Sequence, residues 1–277
     1  MADLSIKNRP AVRWRLSQDG FDPVVETLAV EEPLEIRLGG KRFTLTMRTP
    51  GHDRELAAGF LLAEGFINSI EELGEVRAVT NSRGEPEPNA IDIVLCVPAA
   101  GLRERLKRNF TISSSCGVCG KTSIESIQRR IEPLKDGAKF RAETILKLPH
   151  LMRQAQQVFS TTGGLHAAAL FRPADAEGVQ LAVLREDVGR HNAVDKAVGH
   201  ALIEGWLPLS SSIMMVSGRL SFEIVQKAAA ASIPILAAVS APSSLAVELA
   251  DEIGVTLAGF VRDRGFNVYT HPQRIIA

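Results

Sequence analysis

The second half of the chain alternates continuous apolar runs with amphipathic segments, and this alternation limits the folds open to it. Apolar runs at residues 213–217, 235–239 and 255–261 are separated by helical patterns at residues 222–232 and 245–253. Such strands are typical of a mostly parallel sheet covered by helices on both faces, so we predict a three-layer α/β lobe. The same lobe has predicted helices at residues 148–159 and 193–203 and a hairpin formed by residues 167–171 and 180–185.

The first half has shorter strand-like runs and one strong helical pattern, which predicts an α+β lobe. The helix follows a Pro-Gly stop and would be capped by Asp53. Cys96 falls in an apolar run, which predicts a small core residue. We place the two lobes at residues 1–145 and 146–277. The strand-like runs of the first lobe are residues 24–30, 34–38, 42–47, 75–80 and 90–97.

Charge and hydropathy argue against a nucleic-acid-binding protein and against a membrane protein. Lysine plus arginine number 32 and aspartate plus glutamate number 32, so no net field draws the chain to nucleic acid or to an anionic membrane. No apolar run reaches membrane-spanning length, and residues 1–14 lack the apolar stretch of a signal peptide. We therefore expect a cytoplasmic protein that binds neither nucleic acid nor a membrane.

Cys116 and Cys119 form the strongest chemical signal in the chain. They stand in a Cys-Gly-Val-Cys loop among serine and glycine, directly before Lys121 and a predicted helix. Three cysteines in 277 residues do not make a disulfide framework, so a close pair points to reactive or metal-binding thiols. The helix N-terminus and Lys121 would stabilise a thiolate, which is the form that attacks sulfur.

Two other chemistries compete for this loop. A structural zinc site normally uses four ligands, whereas the sequence offers one cysteine pair and a distant His150, so zinc is the second interpretation and we assign no metal-ligating residues. A thioredoxin-type pair lies between a strand and a helix of a βαβ unit, whereas this pair follows a run of serines. The residues alone therefore leave sulfur transfer, metal binding and redox exchange open.

Polar groups also gather where predicted strands of the second lobe end. After the hairpin, Arg190 could bind phosphate, Asp195 could accept a hydrogen bond from a guanine edge, and His191 could hydrogen-bond either group. Alternatively, this segment is the solvated start of a helix whose N-cap is Asn192. His166 follows two glycines that either approach a ligand or end a helix.

The strand ends at residues 217–223 and 240–244 each open a helix and offer backbone N–H groups to an anion. Arg262 and Arg264 flank the turn after the last strand, where they could neutralise a large anionic ligand.

Taken together, these segments resemble the FdhD family, sulfurtransferase accessory proteins that make formate dehydrogenase active. The resemblance covers nearly the whole chain. It rests on segments that occur in this order: residues 50–57, 64–65, 114–120, 162–166, 185–192, 217–219 and 259–262.

The resemblance implies a sulfur carrier that accepts persulfide sulfur from a cysteine desulfurase. The acceptor would be the molybdenum bis(molybdopterin guanine dinucleotide) cofactor, bound as substrate before its insertion into the formate dehydrogenase catalytic subunit. The persulfide cysteine of the family corresponds to Cys116, with Cys119 assisting. The cofactor-binding stretch of the family corresponds to Phe260, Val261, Arg262, Asp263, Arg264 and Gly265.

Further expectations accompany the resemblance. A guanine nucleotide would mimic the bound cofactor, and a homodimer would suit a cofactor that carries two nucleotides. The second lobe is similar to the cytidine deaminase fold, but the paired zinc deaminase motifs are absent, so deamination is not implied. A cofactor-binding chaperone, whose cysteines only stabilise the loop or hold a metal, is the rival function.

Overall fold

The computed structural model describes residues 4–15, 21–96, 133–134, 138–174 and 178–277. Within these ranges the chain is a mixed α/β protein, as predicted, with its strands divided among four sheets. The strands are β1 (Ile6–Trp14), β2 (Phe21–Ala29), β3 (Glu32–Leu38), β4 (Lys41–Arg48), β5 (Leu73–Thr80), β6 (Pro86–Leu95), β7 (Phe140–Arg141), β8 (His166–Ala174), β9 (Gly178–Asp187), β10 (Ile213–Val216), β11 (Ile235–Ala238), β12 (Thr256–Arg262), β13 (Gly265–Thr270) and β14 (Ile275–Ile276). The helices are α1 (Asp53–Ala63), α2 (Ala142–Ala155), α3 (Gln157–Thr162), α4 (Arg190–Ile203), α5 (Phe222–Ala230) and α6 (Ser244–Glu252).

The largest sheet has six strands in the order β13-β12-β11-β10-β8-β9. Its centre, β10-β11-β12, is parallel, and β8, β9 and β13 join it antiparallel. Alternate residues of the central strands pack into two different cores: Met214 and Leu236 face one, whereas Ile213 and Ile235 face the other. Helices α4, α5 and α6 cover the first face and α2 covers the second. The predicted three-layer arrangement is therefore confirmed.

The second sheet has four strands in the order β4-β3-β6-β5, and helix α1 packs beside it. Helix α1 crosses α4 at two glycines. A Cβ on Gly59 would lie 2.0 Å from the carbonyl oxygen of Asp195, and one on Gly199 would lie 1.8 Å from that of Glu55. Only glycine permits this backbone approach, which joins the first lobe to the α/β layers.

The predicted hairpin is confirmed, whereas one predicted helix is divided in two. Strands β8 and β9 form the expected hairpin, and β5 pairs antiparallel with β6. The helix predicted at residues 148–159 is instead two helices, α2 and α3, separated at the buried Gln156.

Three residue-level expectations were wrong. Asp53 does not cap α1, whose N-cap is His52, because its carboxylate pairs with the buried Arg48 at 2.9 and 3.0 Å. Asn192 does not cap α4, because Gly189 is the N-cap and the Asn192 amide donates to the Met47 carbonyl. Cys96 is exposed just after β6 rather than buried in a core.

Two predicted features are not tested by the described residues. Cys116 and Cys119, with the helix predicted after them, lie outside the described residues. The division into residues 1–145 and 146–277 stays a prediction; residue 145 lies within α2.

Candidate functional site

A cavity of about 570 Å³ opens at the carboxyl ends of the parallel strands β10 and β11. Ser217 follows β10 and Val239 follows β11, and both line the cavity. The opposite wall comes from α2 and α3, including Met152 and Phe159. In open α/β sheets this edge is where ligands bind, since loops with free backbone groups converge there. The cavity is therefore the candidate site among the described residues.

His166, at the start of β8, lies in the wall of this cavity. Burial, followed by the guanidinium charge of Arg190 and the neighbouring imidazole of His191, lowers the pKa of His166 below its usual value. The imidazole is thus neutral at physiological pH and offers one donor and one acceptor nitrogen. A Cβ on Gly218 would contact His166 Nδ1 at 3.5 Å and the Arg190 side chain at 3.6 Å, so these three residues pack together.

The Asp187 carboxylate holds the loop between β9 and α4 in place. It is fully buried and accepts from the backbone N–H groups of Thr49 at 3.1 Å and Gly189 at 2.8 Å. It also pairs with the Lys196 ammonium at 2.7 Å and accepts from the Asn192 amide at 3.0 Å. Because Val188 between these contacts lines the cavity, this buried network fixes one wall of the site.

Two residues assigned to a ligand are held by protein groups instead. Asp195 is buried, and its carboxylate accepts from the Lys227 ammonium at 2.7 and 2.8 Å. Burial raises the pKa of Asp195 to about 6, against the opposing charge of Lys227. His191 Nε2 lies 2.8 Å from the Glu223 carboxylate and 3.2 Å from the Ser221 hydroxyl. The expectation that Asp195 meets a guanine edge is therefore wrong.

The predicted cofactor-binding stretch forms the end of β12 and its turn into β13. Val261 is buried, whereas Phe260, Arg262, Asp263, Arg264 and Gly265 are exposed. Phe260 has a positive φ of 53°, an uncommon backbone state for a bulky residue and one that recurs at functional sites. Arg262 Nη1 donates to the carbonyl oxygen of Val239, which lines the cavity. This arginine is thereby held at the edge of the site.

Sequence reasoning missed the wall formed by α2 and α3. Arg153 lies with its guanidinium carbon 4.7 Å from the centre of the Phe159 ring, and both residues line the cavity. The Glu186 carboxylate fixes α3 by accepting from the backbone N–H groups of Val158 at 3.0 Å and Phe159 at 2.8 Å. The sequence offered only an amphipathic pattern here, which does not distinguish a cavity wall from ordinary helix packing.

The described residues contain neither a membrane-spanning helix nor a cluster of metal-ligating side chains. None of the described helices is both long and apolar enough to cross a membrane. No group of three or more histidine, cysteine, aspartate or glutamate side chains placed to hold a metal ion occurs in the described ranges.

The chain is similar in sequence to proteins of one family along most of its length. A family model described as the FdhD/NarQ family matches residues 29–276. The sulfur carrier protein FdhD of Mycolicibacterium paratuberculosis is 54% identical over 255 residues, covering 90% of this chain and 92% of that protein. The protein of the same name from Saccharolobus solfataricus is 46% identical over 251 residues, covering 90% of each.

A solved structure extends the likeness to the fold. The crystal structure of a proposed formate dehydrogenase accessory protein from Desulfotalea psychrophila is 26% identical, with a TM-score of 0.74. The match covers 98% of this chain and 99% of that one.

Proposed function

This chain belongs to the FdhD/NarQ family, and from that premise we infer that it is a sulfur carrier accessory to formate dehydrogenase. The observation that supports this most directly is the close relationship to sulfur carrier proteins over nearly the whole chain. The finer steps are part of the same proposal: a cysteine desulfurase as donor and the molybdenum bis(molybdopterin guanine dinucleotide) cofactor as acceptor.

Sulfur reaches the carrier by thiol exchange. The Cys116 thiolate attacks the outer sulfur of the desulfurase persulfide, the sulfur–sulfur bond of the donor breaks, and the donor cysteine leaves as a thiolate. Cys116 then carries the persulfide. Attack of the Cys119 thiolate on the inner sulfur of Cys116 would close a disulfide and release hydrosulfide, so the pair supplies both a carrier and a means of release.

The cavity beside β10 and β11 suits the acceptor. It is large enough for a purine or pterin ring, and ligand pockets combine apolar walls with a few polar groups. Neutral His166 can hydrogen-bond a heterocycle, and the Phe159 ring offers a stacking surface. Arg262 and Arg264 at the neighbouring turn supply positive charge for the phosphates of a nucleotide.

The sulfur-carrier proposal is tested by loading the protein with sulfur. Incubation with a cysteine desulfurase and isotopically labelled cysteine should add sulfur to the wild type, as read by intact mass. Cys116→Ala should abolish the gain, because that thiolate is the acceptor. Cys96→Ala is the matched control: Cys96 is exposed and able to react non-specifically, so its loss should leave loading unchanged.

The outcomes separate the rival functions. If the wild type gains no sulfur, the sulfur-carrier proposal is wrong, and the result favours a chaperone that binds the cofactor without sulfur chemistry. Loading retained in Cys116→Ala but lost in Cys119→Ala would transfer the carrier role to Cys119.

The acceptor site is tested by binding of a guanine nucleotide diphosphate. Arg262→Ala and Arg264→Ala should each weaken binding by about 10- to 100-fold, because a charge-assisted contact to phosphate contributes about 1.5 to 3 kcal/mol. Calorimetric titration measures the change. Arg77→Ala, an exposed arginine on the other sheet, serves as the control. Affinity unchanged in both turn variants would place the nucleotide elsewhere.

A further inference from the structure

A second cavity, of about 310 Å³, lies at the opposite edge of the large sheet from the candidate site. Ser211 and Ser212, which precede β10, line this second cavity, whereas Ser217, which follows β10, lines the candidate site. A strand rises about 3.3 Å per residue, so Ser212 and Ser217 are roughly 16 Å apart along β10. The two cavities are therefore separate sites on the same sheet.

The wall of the second cavity contains an arginine stacked on a tryptophan. The guanidinium carbon of Arg172 lies 3.8 Å from the centre of the Trp206 ring, and both residues line the cavity. The ring is itself held in place, since it packs edge-to-face against His200 at 5.0 Å and His200 Nδ1 lies 3.0 Å from the Glu55 carboxylate. A guanidinium stacked on a ring keeps the N–H donors at its edge available, which suits a bidentate contact with an oxyanion.

The guanidinium of Arg172 has no anionic partner within the described chain. Two other arginines of low exposure are paired: Arg48 with Asp53 at 2.9 Å and Arg185 with Glu55 at 2.8 Å. Among the described residues, by contrast, no carboxylate pairs with Arg172 and no acceptor takes its donors. Polar groups in a protein wall normally have a hydrogen-bond partner. The donors of Arg172 are therefore available to a ligand.

The other polar groups of this wall are neutral. Gln180 lies directly opposite Arg172 in the β8–β9 register, so the two side chains are on the same side of the hairpin. Ser212 is 3% exposed, and within the described ranges its hydroxyl makes no hydrogen bond. Amide and hydroxyl groups can donate to oxygen alongside the guanidinium, and none of the described residues that line the cavity is acidic. This set of groups favours a ligand with a negative charge.

We propose that the second cavity is a binding site for a small-molecule oxyanion, a phosphate or a carboxylate, anchored by Arg172. Its volume lies at the lower end of the range for ligand pockets, so it suits a small molecule rather than a dinucleotide. Trp206, Pro208 and Leu209 supply apolar contacts for the body of that molecule. The site is separate from the cavity assigned to the cofactor, so this proposal does not depend on the proposed function.

Titration of the full chain with inorganic phosphate and with succinate, at constant ionic strength, tests the site. The chain has two tryptophans, so Trp14→Phe leaves Trp206 in the cavity wall as the fluorescence reporter. At least one of the two anions should change the Trp206 emission saturably, and the active anion identifies the source of the oxyanion. Chloride at the same ionic strength should give no saturable change, because a monatomic ion makes no bidentate contact.

Equilibrium dialysis with the radiolabelled anions measures affinity in the variants. Arg172→Ala should weaken binding about 10- to 100-fold, because a charge-assisted contact is lost. Arg172→Lys should have an intermediate affinity, since it keeps the charge and a long side chain but not the planar fork. Arg83→Ala is the matched control, because Arg83 is exposed in the turn between β5 and β6 on the other sheet, and its affinity should be unchanged.

Three results would overturn the proposal. In the first, neither anion binds saturably by fluorescence or by dialysis. In the second, Arg172→Ala binds as tightly as the wild type. In the third, binding persists in Arg172→Ala but is lost in Arg262→Ala and Arg264→Ala, which would place the anion in the candidate site. Sulfur loading of Cys116 is a separate measurement, so failure of the sulfur-carrier proposal would leave this one standing.

Discussion

At the scale of single residues, the charged groups near the cavity serve two different purposes. Asp187 and Asp195 are buried and satisfied by Lys196 and Lys227, so they hold elements together. His166, by contrast, faces the cavity. Both kinds occur at strand–helix junctions, and a sequence pattern does not report burial. This explains why Asp195 was predicted as a ligand contact although its partner is a lysine 32 positions away.

Glu55 provides the clearest residue-level prediction. Arg185 Nη2 donates to its carboxylate at 2.8 Å, His200 Nδ1 lies 3.0 Å from it, and His52 Nδ1 lies 3.3 Å away. Burial opposes ionisation of Glu55, but the hydrogen bonds of Arg185, His52 and His200 outweigh it and hold its pKa well below the usual range. Two of the segments that carry the family resemblance, residues 50–57 and 185–192, are thus joined by a structural ion pair.

The sign of the pH dependence follows from this lowered pKa. Ionised Glu55 stabilises the folded state above its unfolded pKa of about 4.5, and that stability is lost as the pH falls towards the lower folded pKa. Glu55→Gln should therefore lower the free energy of unfolding at neutral pH by about 1 to 2 kcal/mol, a value reduced by partial solvent screening. It should also flatten the decline in stability between about pH 5 and pH 3.

Urea denaturation across that pH range measures both effects. The control is Glu75→Gln, which removes an exposed pair with Arg77 on β5, where solvent screens the interaction. An acid decline as steep in Glu55→Gln as in the wild type would show that this carboxylate does not carry the dependence.

At the scale of elements, the sequence predicted helices and strands correctly where a single local pattern determines the structure. The central strands β10 and β11 are apolar at every position and buried, and their short length between two helical patterns is typical of buried strands. The prediction failed where tertiary contacts compete with local signals. Asp53 is a good N-cap by residue type, yet the buried Arg48 takes its carboxylate. The break between α2 and α3 has no strong stop signal, because Pro149 lies inside α2 and the break comes later, at Gln156.

Only part of the candidate site could be predicted from the sequence. The turn after β12 was located from its arginines, since charged residues after an apolar strand are visible in the sequence. The hydrogen bond from Arg262 to the Val239 carbonyl could not be predicted from the sequence. The two residues are 23 positions apart and meet only because their strands are neighbours in the sheet. The exposure of Cys96 was missed because β6 ends one residue earlier, at Leu95.

At the scale of the whole molecule, the two predicted lobes share one continuous core. Leu56 and Leu61 of α1 belong to the same buried cluster as Met214 and Leu236 of the large sheet. Polar contacts cross the same junction, since the Lys196 ammonium donates to the Thr49 carbonyl at 2.8 Å. An interface this apolar and this closely packed couples the folding of its two sides.

The glycine crossing of α1 and α4 makes this coupling testable. Gly199→Ala places a methyl group 1.8 Å from the Glu55 carbonyl oxygen, so the helices must separate at a cost of at least about 1 to 3 kcal/mol. If the lobes unfold as one unit, peptides from β3 and β6 and peptides from β10 and β11 lose the same amount of hydrogen-exchange protection. Gly164→Ala is the control, because its nearest neighbour would be an ordinary contact at 3.7 Å. Loss of protection confined to β3 and β6 would instead show that the first lobe opens alone, with the large sheet and its cavity intact.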